Sequence, residues 1–333
     1  MALDHYVSQV HLKRFYSPEL GELMHATRKS DLKSFTPNSK AVCRTDEGNT
    51  NDFLTEPRAI EEFLKTIEGK YNGSVSLLES GKPNTEAVYV IAGFLSYLLT
   101  CSPAAMRMNA EVVKGNMEAF AKAADAKGAF PPPPTELGGK DLTDLLDSGG
   151  IKIVVDPKMP QAVGIANILD RVAAFGNCQW DVLINEHKEC QFFTSDFPVA
   201  NEQSDDRCVV NRVLPLAPHI AVRFKPDINE RGGDFAFKNF SFKRKKITRQ
   251  EAIEINRLLA RSAEDTVFYA HDQNWVEPFI RKNRNYRMDT QKIDAGNGLP
   301  TRYHQRVVSF DRNAPQVADA AAPKAPLQNG LLG

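Results

Sequence analysis

The sequence predicts an α+β protein: an N-terminal helical part, then a meander-like, mostly antiparallel sheet with flanking helices. Three observations lead there. Apolar residues recur at helical spacing in the first half, as in Ile60, Leu64, Ile67 and Tyr71. From Gln179 to Phe224, short β-branched or aromatic runs are separated by turn residues. The helices precede the strands rather than alternate with them, which argues against an α/β fold.

Asp4 reads as the N-cap of a helix beginning at His5. Val7, Val10 and Phe15 give that helix its apolar side, and His5, Gln9 and Lys13 a polar stripe. Ser17-Pro18 and Gly21 break the pattern, and 22–27 reads as a short strand. Residues 29–40 are polar and extended, since Pro37 forbids a regular helix. Pro57 suits the first turn of the next helix. Residues 85–101 are apolar nearly all round, as in a buried helix, and Ser102-Pro103 starts another. Residues 127–150 hold four consecutive prolines at 131–134 and two Gly-Gly pairs, and read as an exposed insertion or linker. Residues 151–155 are β-like, and 161–175 fit one amphipathic helix. Strands follow at 179–184, 190–194, 209–214, 220–224 and 266–269. Thr248 caps a helix through Leu259, and 275–280 is a short helix. The expected organisation is one domain over 1–312, with a disordered Ala/Pro-rich tail at 313–333.

The chain has 333 residues, with 42 Lys plus Arg against 42 Asp plus Glu. No global field therefore draws it to nucleic acid or an acidic membrane. Its five cysteines are odd in number and show no CxxC spacing, so no disulfide framework or disulfide-linked partner is expected. The start lacks the pattern of a secretory leader, and the apolar stretch 87–101 is too short to span a bilayer. The expectation is a cytoplasmic protein without membrane contact. No dinucleotide or P-loop glycine pattern occurs.

Three groups of residues, and a basic run besides, carry candidate chemistry. In the first segment, His5 suits proton transfer, Gln9 orientation of a water or base edge, and Arg14 the holding of a carboxylate or phosphate. The competing reading makes His5 a cap, Gln9 solvated and Arg14 half of a surface ion pair. On the next helix Glu61 and Glu68 lie seven residues apart beside the apolar stripe. A partly desolvated carboxylate there suits acid–base work or metal binding. The alternative pairs Glu61 with Lys65. In the turn Thr194-Ser195-Asp196-Phe197-Pro198, Pro198 stiffens the backbone behind Asp196. That carboxylate either serves a site or accepts backbone amides. Lys243 to Lys246, after Phe240 and Phe242, form a basic run that binds nucleic acid or merely protects an edge strand.

His5-Tyr6-Val7-Ser8-Gln9-Val10-His11-Leu12-Lys13-Arg14-Phe15 resembles the His-Tyr-Val-Pro-Gln-x-Tyr-Leu-Arg-x-Phe opening of the bacterial family DUF4238. Later pieces resemble the same family in order. They are Ile67-Glu68, Ser102-Pro103 through Arg107, Trp180 with Phe192 to Val199, Leu214 to Pro218, and Ile255-Asn256 with Ala263. Ser8 replaces the usual Pro, which loosens the entering turn, and Phe197 replaces a frequent Asn. The family implies no established reaction.

Together these residues favour an enzyme acting on a phosphate-containing or nucleic-acid substrate, by metal-assisted hydrolysis. His5, Glu68 and Asp196 are its candidate catalytic groups, and Glu68 and Asp196 would hold a divalent metal ion. Gln9, Arg14, Arg107 and Asn256 would bind a nucleic-acid or nucleotide partner. The alternative is a non-catalytic binding or interaction module, with bacterial defence as one setting for it, whose polar motif residues form a structural network.

Overall fold

The computed structural model describes residues 3–131, 133, 135, 138–204, 209–226, 234–293 and 302–312. The fold is mixed α+β, with helices concentrated in 59–176 and several mostly antiparallel sheets. The tail beyond 312 lies outside the described residues.

The helical layer comprises α2 (Ala59–Glu68), α3 (Tyr71–Glu79), α4 (Thr85–Cys101), α5 (Pro103–Ala126), α7 (Lys158–Ala166) and α8 (Ile168–Gly176). As its all-apolar composition predicts, α4 is buried on most sides. It packs against α2, α3, α5, α7 and α8. Asn84 caps its N-terminus, and Ser102 with Pro103 caps and starts α5.

A five-stranded sheet lies beside this layer, in the order β10 (Ser241–Lys246), β5 (Gln179–Ile184), β9 (Ile220–Lys225), β8 (Val210–Ala217), β7 (Ala200–Gln203). It is antiparallel except for β10, which runs parallel to β5 along the edge. The basic run is this exposed edge strand, with Lys245 paired to Glu251 and Lys246 to Glu186. Alternation divides the sheet between two cores. Trp180, Val182, Leu214, Val222 and Phe224 join the helical core. Leu183, Val213 and Ala221 pack on α9 (Arg249–Ser262). Next to it stands a sheet of β3 (Ser34–Phe35), β2 (His25–Arg28), β11 (Thr266–Tyr269) and β6 (Thr194–Ser195), antiparallel throughout. The short helix α10 (Val276–Asn283) is followed by a hairpin of β12 (Tyr286–Ile293) and β13 (Arg302–Ser309).

Several expectations need correction. No helix begins at His5: Leu3–His5 is β1, paired with β4 (Arg44–Asp46), and α1 spans only Gln9–Leu12 before a 3-10 turn. Asp4 is no cap, because it is already bound to the Asn49 amide and the Arg58 guanidinium. Glu61 pairs with Arg58, while Lys65 takes Glu62. Residues 151–155 form no strand, and the helix expected at 161–175 is two, broken at Asn167. The insertion holds α6 (Leu142–Asp147), tied to α5 by Thr143 on Asp125 and Lys122 with Asp147.

The capping box of α9 is complete, with Thr248 Oγ1 accepting from the Glu251 amide at 3.2 Å and the Glu251 carboxylate accepting from the Thr248 amide at 2.8 Å. Thr248→Ala should cost about 1 kcal/mol. A urea midpoint unchanged by this substitution would show that α9 is held by packing alone.

Candidate functional site

The structure sorts the sequence-predicted residues into four places. The first lies under the 38–44 loop. The backbone of Ser39 and Lys40, with Arg44 and Glu68, acts electrostatically on the His5 ring. Its Nε2 is buried and reaches no hydrogen-bond partner. Burial lowers its pKa below the usual imidazole range, against the pull of that backbone and of Glu68. Ser8 Oγ donates to Glu68 Oε1 at 2.5 Å, and Ser39 Oγ donates to Gln9 Oε1 at 3.4 Å. His5, Gln9 and Glu68 therefore do share a neighbourhood. Ser8, expected to loosen the turn, has φ −58°, the value a proline would impose, and its hydroxyl fixes it to α2.

Asp196 is elsewhere. One of its oxygens accepts from the Glu264 amide at 2.9 Å and the other from Asp265 and Thr266, each at 2.8 Å. Burial pushes its pKa up, against those amides, and Glu264 adds to the rise. Nearby is a residue that no sequence pattern singles out. Lys29 is 0% exposed, and its ammonium donates to the carbonyls of Ala260, Ala263 and Tyr286 at 2.6–2.8 Å. Burial lowers its pKa, and Asp196 opposes the shift. Tyr6 stands between the first two places, bonded to Cys43 and within range of Asp196 and Glu264. Burial raises the pKa of both the Tyr6 hydroxyl and the Cys43 thiol, so neither ionises readily.

Arg107 reaches toward the same region from α5. Its guanidinium is divided between Glu264 at 2.6 Å, Asp289 at 2.9 Å and the Met288 carbonyl at 2.8 Å. Arg14 occupies a third place, paired with Glu79 at 2.6 Å and donating to the Leu216 carbonyl at 3.1 Å. Asn256 occupies a fourth. It is fully buried, accepts from the Phe193 amide and donates to the Gln191 carbonyl. Among the described residues no three His, Cys, Asp or Glu side chains stand close enough to hold a metal ion. Glu68 and Asp196 are thus not members of any such group there.

His11 was passed over in the sequence because it falls at an apolar helical position. It is 0% exposed, with Nδ1 at 2.8 Å from the Tyr71 hydroxyl and Nε2 at 2.8 Å from Thr194 Oγ1. Each contact uses one ring nitrogen, so a neutral ring satisfies both by donating once and accepting once. Burial and the nearby Arg14 charge hold its pKa at about 3.

A cavity of about 340 Å³ opens between α5, β4 and the start of α7. Met106, Ala110 and Val155 line it with Arg107, Glu111 and Lys158. The Lys158 ammonium is engaged by the carbonyls of Glu47, Gly48 and Thr50.

The chain matches the family described as protein of unknown function (DUF4238) over residues 4–273. No curated protein and no solved structure matches it.

A neutral His11 in the fold and a titrating one in the unfolded chain set the sign of its pH effect. The unfolded state binds the extra proton between pH 3 and 6.5, so stability falls as pH falls through that window. His11 alone should remove about 2 kcal/mol between pH 6.5 and pH 5. Stability curves measured against pH should therefore be shallower for His11→Gln than for the parent. Parallel curves would contradict the assignment.

Proposed function

The chain belongs to the DUF4238 family of proteins of unknown function, and we propose that it is a non-catalytic binding module whose motif residues form the internal framework of the fold. One observation carries the reading: the polar groups at the motif positions, His5 apart, are engaged by the protein itself. Asp196 holds backbone amides, Arg14 holds Glu79, Arg107 holds Glu264 and Asp289, and Asn256 joins two backbone segments. A catalytic or substrate-binding group needs spare donor or acceptor capacity facing a reactant. Fully satisfied buried networks rigidify one arrangement instead.

The ligand site of this module is the 340 Å³ cavity beside α5. Its volume falls in the range of small-molecule sites, about 300–1,000 Å³. Apolar walls with Glu111 among them suit a small amphipathic molecule.

One observation favours the rival reading of an enzyme acting on a phosphate-containing or nucleic-acid substrate. His5 has an unused ring nitrogen and a carboxylate in range. A phosphoester-hydrolysing activity lost in His5→Gln at unchanged melting temperature would favour that rival.

Thermal melts test the framework reading. Asp196→Asn replaces a charged acceptor of backbone amides by a neutral one, at a cost of about 2 kcal/mol, and should lower Tm by about 5 °C. An unchanged Tm would count against the framework role. Ala110→Leu tests the cavity. With room to spare the added methyl groups cost under about 1 kcal/mol, whereas a closed wall would charge about 1–3 kcal/mol for overpacking. A loss in the upper range removes the cavity as a ligand site.

A further inference from the structure

On β8, Arg212 is the direct partner of Asn201 on β7, so both side chains lie on one face of the sheet. Leu214, two residues on, places that face against the helical core. Arg212 Nη1 is buried there and reaches no hydrogen-bond partner. Among the described residues, no carboxylate stands within ion-pair distance of it. Arg171 on α8 approaches the same place. Its Nη1 donates to the Leu99 carbonyl at 3.0 Å and to Thr100 Oγ1 at 2.9 Å, at the C-terminal end of α4. These acceptors are neutral, and the helix end offsets only part of its charge. Arg171 also lacks a carboxylate partner among the described residues. The Arg171 charge adds to burial in lowering the pKa of Arg212 to about 10.

The groups around the pair are neutral amides. Asn109 Nδ2 shares the Leu99 carbonyl at 3.3 Å, Gln305 Nε2 donates to Asn109 Oδ1 at 3.3 Å, and Asn201 Nδ2 donates to the Gln305 carbonyl at 2.6 Å. The opposite face of the same sheet shows what compensation looks like. Arg223 on β9 is flanked there by Glu202 and Asp181.

We propose that Arg171 and Arg212 form a binding site for a small tetrahedral oxyanion, phosphate or the phosphate group of a monoester. Arg212 keeps a buried Nη1 without a partner and Arg171 has only neutral acceptors, so an anion seated between the two guanidinium groups supplies the counter-charge that both lack. The planar fork of each guanidinium matches the oxygen spacing of a phosphate, and two positive charges match its dianion. None of Arg171, Arg212, Asn109 or Asn201 lines the cavity beside α5, so this site stands or falls apart from that one.

The test is thermal unfolding of the full chain in inorganic phosphate and, separately, in ribose 5-phosphate, each against chloride at matched ionic strength. Either phosphate at a hundredfold excess over its Kd should raise Tm by about 5 °C. A shift with both assigns free phosphate as sufficient, and a shift with the monoester alone assigns a phosphorylated small molecule. Arg212→Gln should abolish the shift, while its Tm in chloride stays level or rises because an uncompensated buried charge is gone. The proposal is overturned if neither phosphate moves the parent beyond chloride, or if Arg212→Gln keeps the full shift.

Discussion

A seven-residue stretch, 260–266, is gripped from two sides by buried charges of opposite sign. Lys29 takes carbonyls of Ala260 and Ala263 at the end of α9, and Asp196 takes the amides of Glu264, Asp265 and Thr266. The last carbonyls of a helix have no partner within it and must find one. A glycine in the left-handed conformation is the common solution. Here Ala263 follows α9 with φ −53°, and the ammonium of Lys29 serves instead. Asp196 then aligns the next residues as β11, which pairs with β2 on one side and with β6, just before Asp196, on the other. The Lys29 amide donates to the Asp265 carbonyl at 2.6 Å and the Asp196 amide to the Thr266 carbonyl at 3.1 Å, so both clamp residues are also held by the segment they hold.

This clamp decides how the motif residues are read. A carboxylate that already accepts from several amides has little capacity left for a metal or a proton in flight. Arg107 extends the same network through Glu264 to Asp289 on the terminal hairpin. The N-terminal segment joins it through Tyr6, which lies in range of Asp196 and Glu264. Pieces of sequence that look like a scattered active site are thus largely the points where distant segments are tied together. His5 differs, because its ring keeps an unused nitrogen.

Much of the fold was legible. The all-apolar run of α4, the Ser-Pro start of α5, the strands β5 and β11 and the Thr248 cap all follow from local chemistry that the structure retains. The N-terminus was not. The spacing of Val7, Val10 and Phe15 suits a helix, but β4 offers Leu3 to His5 a strand partner about 40 residues on, and tertiary pairing overrides local preference. Asp196 was recognisable as a stiffly held carboxylate, and it accepts backbone amides. Its partners lie 68 to 70 residues away, which no turn pattern reveals. Lys29 sat unremarked in a polar stretch, since a lysine that will be fully buried looks like any other in one dimension.

Amide hydrogen exchange at Glu264, Asp265 and Thr266 tests the clamp most directly. These residues are half-exposed and lead into a four-residue strand that begins at Thr266, so an unclamped backbone would exchange through local fraying. The clamp predicts protection close to that of the buried α4 amides, falling sharply at these three positions in Asp196→Ala while α4 stays protected. Fast exchange at the three amides in the parent protein would contradict the account.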